Sequence, residues 1–357
     1  ENVFACDIDK YAKASYLELH NPGKFYDNIT TRDHTKVERL DLYVAGFPCQ
    51  AFSYAGKREG FADETKGTLF FNVAEFIRTN KPTCFILENV RGLVSHDKGR
   101  TFQTITDVLS NGGGSLNGQV GLDTIDNGLG YHVYYKILNS KDFGVPQNRE
   151  RIFIVGFRNW REFSFPKEMP LDKSLKDVLE DNVDEKFYLS KKMIDGFYKD
   201  GNKKTHSSNS EVITHSLYGR TSKNGNGGSG HLTREDGLSY CVDTGNFQAV
   251  EIKDNVVQLN PSKESGGVQP YQQNRIYDID GVSPALMANL GGDRSHNINT
   301  PRIRRLTPLE CWRLQGFSDE DLRKAEKVCS NSQLYKQAGN SITVDVRVEI
   351  FKKIYLK

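Results

Sequence analysis

Cys49 sits in a Pro48-Cys49-Gln50 turn at the end of an apolar run, and Glu88 opens a Glu-Asn-Val at the end of another. A thiol becomes a strong nucleophile once it loses its proton, and a carboxyl group that keeps its own can steady the charge which that attack displaces. Facing one crevice, the two groups suit addition to an electron-poor ring. Gln50 adjoins the thiol. Arg149 and Arg151, within Gln147-Asn-Arg149-Glu-Arg151, add two cations that could orient such a ring, a phosphate joined to it, or Glu88 itself. Each residue alone also has an ordinary use: a free cysteine in a core, a carboxylate near a helix end, arginines on a strand edge.

The elements that must hold these groups read as alternating strands and helices. Leu40 to Gly46 and Cys84 to Leu87 are short apolar runs expected as buried strands of a parallel sheet. Ligands of open α/β sheets bind beyond the carboxyl ends of the strands, where Cys49 and Glu88 would fall. Val3 to Cys6 reads as a further strand and Lys10 to His20 as a helix. After a polar loop from Ala51 to Gly67, Leu69 to Thr79 follows as an amphipathic helix with Leu69, Val73, Phe76 and Ile77 on one face. Thr101 to Ser110 looks helical, and Tyr131 to Leu138 and Arg151 to Phe157 look like two antiparallel strands at a sheet edge. This alternation predicts a doubly wound α/β fold. Residues 111–130, rich in Gly, Asn and Asp, read as a surface insertion.

From residue 161 to 300 the pattern changes to short segments such as Val212 to Leu217, separated by Gly, Ser and Asn clusters. A smaller, irregular, β-rich second domain is expected there. Regular structure should return with a helix at Thr307-Pro308-Leu309-Glu310, a capping box with proline at the first helical position, and a last helix from Val344. The first domain is therefore expected over residues 1–160 plus 301–357.

With 48 Lys and Arg against 46 Asp and Glu, the net charge is +2, so nucleic-acid binding would have to come from local patches. The six cysteines form no C-x-x-C pair, which speaks against a metal site. No apolar run approaches the roughly 18 residues of a membrane span, and no signal segment opens the chain. A cytoplasmic protein with reduced thiols and no membrane contact is expected.

Five motifs occur in one order: Pro48-Cys49-Gln50, Glu88-Asn89-Val90, Gln147-Asn-Arg149-Glu-Arg151, Arg304-Arg305-Leu306-Thr307-Pro308 and Gly339-Asn340-Ser341. The set resembles the C5-cytosine-specific DNA methyltransferases of bacterial restriction–modification systems. The likeness extends to Gly46-Phe47 and Gly67-Thr68-Leu69-Phe70-Phe71. It implies a Rossmann-like catalytic domain that uses S-adenosylmethionine, a target-recognition domain at 161–300, and a monomer acting on double-stranded DNA, with a cognate restriction endonuclease as a possible partner. Cys49 would add to C6 of a flipped-out cytosine, Glu88 would hold a proton at N3, and Arg149 and Arg151 would orient the base. Asp7 and Ile8 would meet the cofactor ribose and adenine, Asn28-Ile29 the adenine amino group through the asparagine oxygen, Leu69 the same pocket, and Asn340 and Ser341 the methionine end. A helix N-cap is the plainer use for Asp7.

The Ala51–Gly67 loop resembles the family's mobile loop over flipped DNA, with Ser53, Lys57, Arg58 and Lys66 on phosphates. In the second domain Arg275 and Arg294 could reach base edges. Ala285 stands where the family usually has threonine. The family's Phe-x-Gly-x-Gly cofactor segment is absent, so an N-terminally truncated form with weak cofactor binding and a partly open sheet is expected. Two other readings remain: a tRNA cytosine-5 methyltransferase, and an inactive DNA-binding remnant.

Overall fold

The computed structural model describes residues 2–37, 40–48, 69–110, 128–190, 212–217, 232–245, 247–252 and 303–356. Its elements in chain order are β1 (Phe4–Cys6), α1 (Lys10–Leu19), β2 (Lys24–Tyr26), β3 (Leu42–Gly46), α2 (Leu69–Asn80), β4 (Cys84–Val90), α3 (Arg100–Leu109), β5 (His132–Asn139) and β6 (Glu150–Phe157). Next come β7 (Val212–Ser216), β8 (Leu232–Arg234), β9 (Gln248–Ile252), β10 (Ile303–Arg305), α4 (Pro308–Arg313), α5 (Asp319–Ala325), α6 (Asn331–Asn340) and α7 (Val344–Tyr355). Contacts divide the chain into two compact units. The first holds Glu1–Lys173, Cys241–Gly245 and Cys311–Lys357; the second holds Ser174–Tyr240 and Asn246–Glu310.

The first unit is built on a sheet of order β3-β4-β6-β5. β3 and β4 run parallel, while β6 is antiparallel to both β4 and β5. The expected antiparallel pair is present, with β6 inserted between β4 and β5. Side chains alternate across the strands because successive Cβ atoms point to opposite faces. Phe85, Leu87, Ile152 and Ile154 pack with Phe70, Val73, Phe76 and Ile77 of α2 and Phe102, Ile105 and Leu109 of α3. Cys84, Ile86, Phe153, Val155 and Phe157 pack instead with Val346, Ile350 and Ile354 of α7. Coverage of both faces explains why these strands are almost wholly apolar. Phe85 stands opposite Gly156 in the ladder, and a Cβ on Gly156 would lie 2.1 Å from its ring. Only glycine admits that ring. β1 and β2 form a separate parallel pair.

β4 runs longer than expected, to Val90, so Glu88 lies within the strand rather than beyond it. Gly339 and Asn340 of the last motif complete α6.

The second unit contains an antiparallel sheet of order β10-β9-β7-β8. Leu217, Ala249 and Ile303 are buried beside Leu189. Arg304 forks onto Glu310, Nη2 to Oε1 at 2.7 Å and Nη1 to Oε2 at 2.8 Å, with both side chains buried. Glu310 also accepts the Thr307 backbone N–H at 2.8 Å, while its own N–H donates to Thr307 Oγ1 at 3.2 Å, so the expected capping box at α4 is formed. Among the described residues, no helix is long and apolar enough to cross a membrane.

Candidate active site

Glu88 is paired in register with Gly46 at the carboxyl end of β3, and its Oε2 would lie 3.5 Å from a Cβ on that glycine. The next residue, Asn89, is buried and donates from Nδ2 to the Phe47 carbonyl at 2.7 Å. That bond ties the chain leaving β3 to the end of β4. Pro48 is the last described residue there. Cys49, Gln50, Ser53, Lys57, Arg58 and Lys66 lie outside the described residues, as do Ala285, Arg275 and Arg294.

Arg151 faces Val90 across the β4–β6 ladder and reaches diagonally to Glu88, Nε to Oε1 at 3.0 Å. Burial pushes the Glu88 carboxyl above its ordinary range, and Arg151 and then Arg149 pull in the opposite direction. Burial prevails, and the site holds a carboxyl group inclined to keep a proton.

Arg149 does something different from its neighbour. It is buried, and its donors go to Cys241 Sγ at 3.2 Å and to three carbonyls: Val242 at 3.1 Å, Gly339 at 2.9 Å and Ser341 at 2.8 Å. Burial lowers its pKa. Its committed donors make it a clamp between the Cys241–Gly245 segment and the turn after α6. Gln147, wholly buried, reinforces the clamp by accepting the Val242 N–H at 3.0 Å and donating to the Leu314 carbonyl. Nothing in the local sequence marks Cys241 or Val242; only their partners reveal them.

The candidate cofactor residues gather at the carboxyl ends of β1 and β2, where the Asp7 N–H donates to the Tyr26 carbonyl at 3.2 Å. Asp9, not Asp7, caps α1, accepting from the N–H groups of Tyr11 and Ala12. Asp7 Oδ1 accepts the Asp9 N–H at 2.8 Å, and its Oδ2 has no partner among the described residues. Ile8 is 78% exposed. Asn28 Oδ1, expected to serve adenine, already accepts from Thr30 N and Oγ1, both at 2.9 Å. The Asn28 NH2 is the group without a partner among the described residues. Ile29 packs against the α2 core, and Leu69 is the first residue of α2. Asn340 ends α6 and Ser341 caps it. Asp9 and Lys336, 2.5 Å apart, link α1 to α6 and so bring both groups of candidates to one end of the unit.

A mixed sheet with helices packed on both faces, a carboxyl inclined to keep its proton near the end of β4 and polar side chains beyond β1 and β2 together match an α/β fold of the methyltransferase type. The solved Dnmt2 methyltransferase of S. pombe has this fold, with a TM-score of 0.54 at 15% identity over 99% of this chain and 90% of that one. The profile of the family described as C-5 cytosine-specific DNA methylase matches residues 1–356. The type II methyltransferase M.HpaII of Haemophilus parainfluenzae is 36% identical, over 99% of this chain and 83% of its own. The orphan methyltransferase M.SPRI of Bacillus phage SPR is 33% identical, over 99% and 92%. The chain belongs to the C-5 cytosine-specific DNA methylase family and is a DNA (cytosine-5)-methyltransferase.

Proposed function

We propose that the chain methylates cytosine within a short DNA sequence through a covalent bond from Cys49 to C6 of a flipped-out base. A cytosine in a stacked duplex hides C6 from any thiol, so the base must leave the helix. The Cys49 sulfur forms a bond to C6, and the displaced electron pair collects at C5 while the Glu88 proton steadies N3. The family implies S-adenosylmethionine, which supplies an electrophilic methyl group to C5 when bound. Loss of the C5 proton to a base then expels the Cys49 thiolate and restores the ring. The observation that carries this reading is Glu88: its side chain only 11% exposed, raised in pKa, tied to Arg151 and adjoining the strand end that leads to Pro48.

The chain's own residues fit the cofactor. The uncommitted Asp7 oxygen suits a ribose hydroxyl, the exposed Ile8 suits an adenine face, and the Asn28 NH2 suits a ring nitrogen. Asn340 and Ser341 would meet the methionine end, with Leu69 lining the pocket. Arg151 orients the base through Glu88, and Gln50 adjoins the nucleophile. Ser53, Lys57, Arg58 and Lys66 would contact phosphates, and the second unit, with Arg275 and Arg294, would read the target sequence. The protein would work in the cytoplasm as a monomer, alone or beside a cognate restriction endonuclease.

The test is bisulfite reading of DNA from cells expressing the chain. One short motif should resist conversion, and Cys49→Ser should abolish that resistance. Complete conversion in cells that contain the folded wild-type protein would refute the proposal.

A further inference from the structure

Cys241 belongs to none of the ordered motifs, yet its sulfur receives both arginines of the site. Arg149 Nη1 lies 3.2 Å from it and Arg151 Nη2 3.7 Å. Arg151 is thereby held at three points. Its Nε meets Glu88 at 3.0 Å, its Nη1 meets the Glu150 carbonyl at 2.9 Å, and its Nη2 meets the sulfur. The Glu150 carbonyl is part of Arg151's own strand, and Glu88 is the group to be positioned. Among the described residues, the sulfur is the one hold supplied from outside β4 and β6.

The sulfur is itself fixed. Gln147 takes the N–H of Val242, and Arg149 takes the Val242 carbonyl. Gly339 packs directly on the next peptide: a Cβ there would stand 2.5 Å from the Asp243 carbonyl carbon and 2.6 Å from Thr244 N. A guanidinium held at one nitrogen can swing, whereas one held along both edges keeps its Nε–H aimed in a single direction.

We propose that Cys241 is a positioning residue for methyl transfer: its sulfur is the hydrogen-bond acceptor that keeps the Arg151 guanidinium seated on Glu88. The inference rests on the reading that Glu88 works at the cytosine ring. A space-filling role would tolerate any side chain of similar volume; an acceptor role tolerates a smaller side chain that still accepts.

Cys241→Val and Cys241→Ser separate the two. The acceptor role predicts that valine slows single-turnover methyl transfer about tenfold and that serine stays within about threefold of wild type, with the KM for S-adenosylmethionine moving less than about twofold in either. In an Arg151→Lys background, which has no Nη2, Cys241→Val should slow transfer by less than it does in the wild-type background, the remainder reflecting the lost bond from Arg149 Nη1. Valine at the wild-type rate, or serine as slow as valine, would overturn the proposal. A second measurement does not depend on turnover. In full-length protein labelled with 15N-arginine, the Arg151 Nε–H resonance, assigned by its loss in Arg151→Lys, should persist in wild type and Cys241→Ser and broaden away in Cys241→Val. Persistence in the valine variant would also overturn the role of Cys241. Failure of the wild type to transfer a methyl group would instead count against the proposed function, and the resonance would still decide this residue.

Discussion

Arg149→Lys is the substitution that most sharply tests the clamp. The guanidinium is buried and donates to one sulfur and three carbonyls from two nitrogens. A lysine keeps the charge but cannot span acceptors on both sides of a planar fork. At least two charge-assisted bonds should go, worth about 1.5–3 kcal/mol each and leaving buried carbonyls unpaired. Relief of the buried guanidinium's own desolvation offsets part of this, so a net loss of about 2–4 kcal/mol is expected. Fluorescence reports it cleanly. Of the two tryptophans, Trp160 is 73% exposed, whereas Trp312 is buried with its Nε1–H on the Leu334 carbonyl at 3.1 Å. In a Trp160→Phe background, urea melts followed through Trp312 report the unit that contains the clamp. The midpoint should fall with little change in slope. A shift worth less than about 0.5 kcal/mol would refute the assignment of Arg149 as a clamp.

Two further outcomes follow from the same geometry. Gly339→Ala drives a Cβ into the backbone of Asp243 and Thr244, an overpacking expected to cost about 1–3 kcal/mol and to weaken S-adenosylmethionine binding through the neighbouring turn; calorimetric titration and melting curves unchanged from wild type would contradict it. Glu88→Gln changes the pH dependence of stability. Because burial raises the folded-state pKa of Glu88, the folded state binds its proton more tightly than the unfolded chain. That contribution is complete below the unfolded value and disappears as pH rises through the folded one. The wild type should therefore lose stability relative to Glu88→Gln over that window, by about 1.4 kcal/mol for each unit of elevation. Parallel stability curves from acid to neutral pH would contradict it.

Much of this arrangement was legible because it rests on short-range pattern. β4 and β6 announce themselves as apolar runs since both of their faces are buried, α2 by its apolar stripe, and α4 by a capping box that forms as written. Glu88 was legible as a candidate because its Glu-Asn-Val ends such a run beside other motifs in fixed order. The insertion of β6 between β4 and β5 was not, since strand order depends on pairing between distant segments. α6 was missed because Asn331–Asn340 is mostly polar and ends through Gly339, although Ser330 and Gln333 form a capping box before it. The cap of α1 reads on paper as a use for Asp7, and the backbone geometry gives it to Asp9, the residue that adjoins Lys10. Cys241 was invisible for a deeper reason: its meaning comes entirely from two arginines some ninety positions earlier.

The central claim is that the Cys49 sulfur bonds to cytosine C6, and trapping that bond tests it most directly. Duplex DNA carrying 5-fluorocytosine at the target position has no C5 proton to lose, so ring restoration stops after methyl transfer and the adduct persists. Incubated with S-adenosylmethionine, the wild-type chain should gain the mass of the DNA strand plus one methyl group, and peptide mapping should place the link on Cys49. The Cys49→Ser protein should gain nothing. A stable adduct mapped to Cys241 or another residue, or methylated product formed by Cys49→Ser at the wild-type rate, would contradict the account.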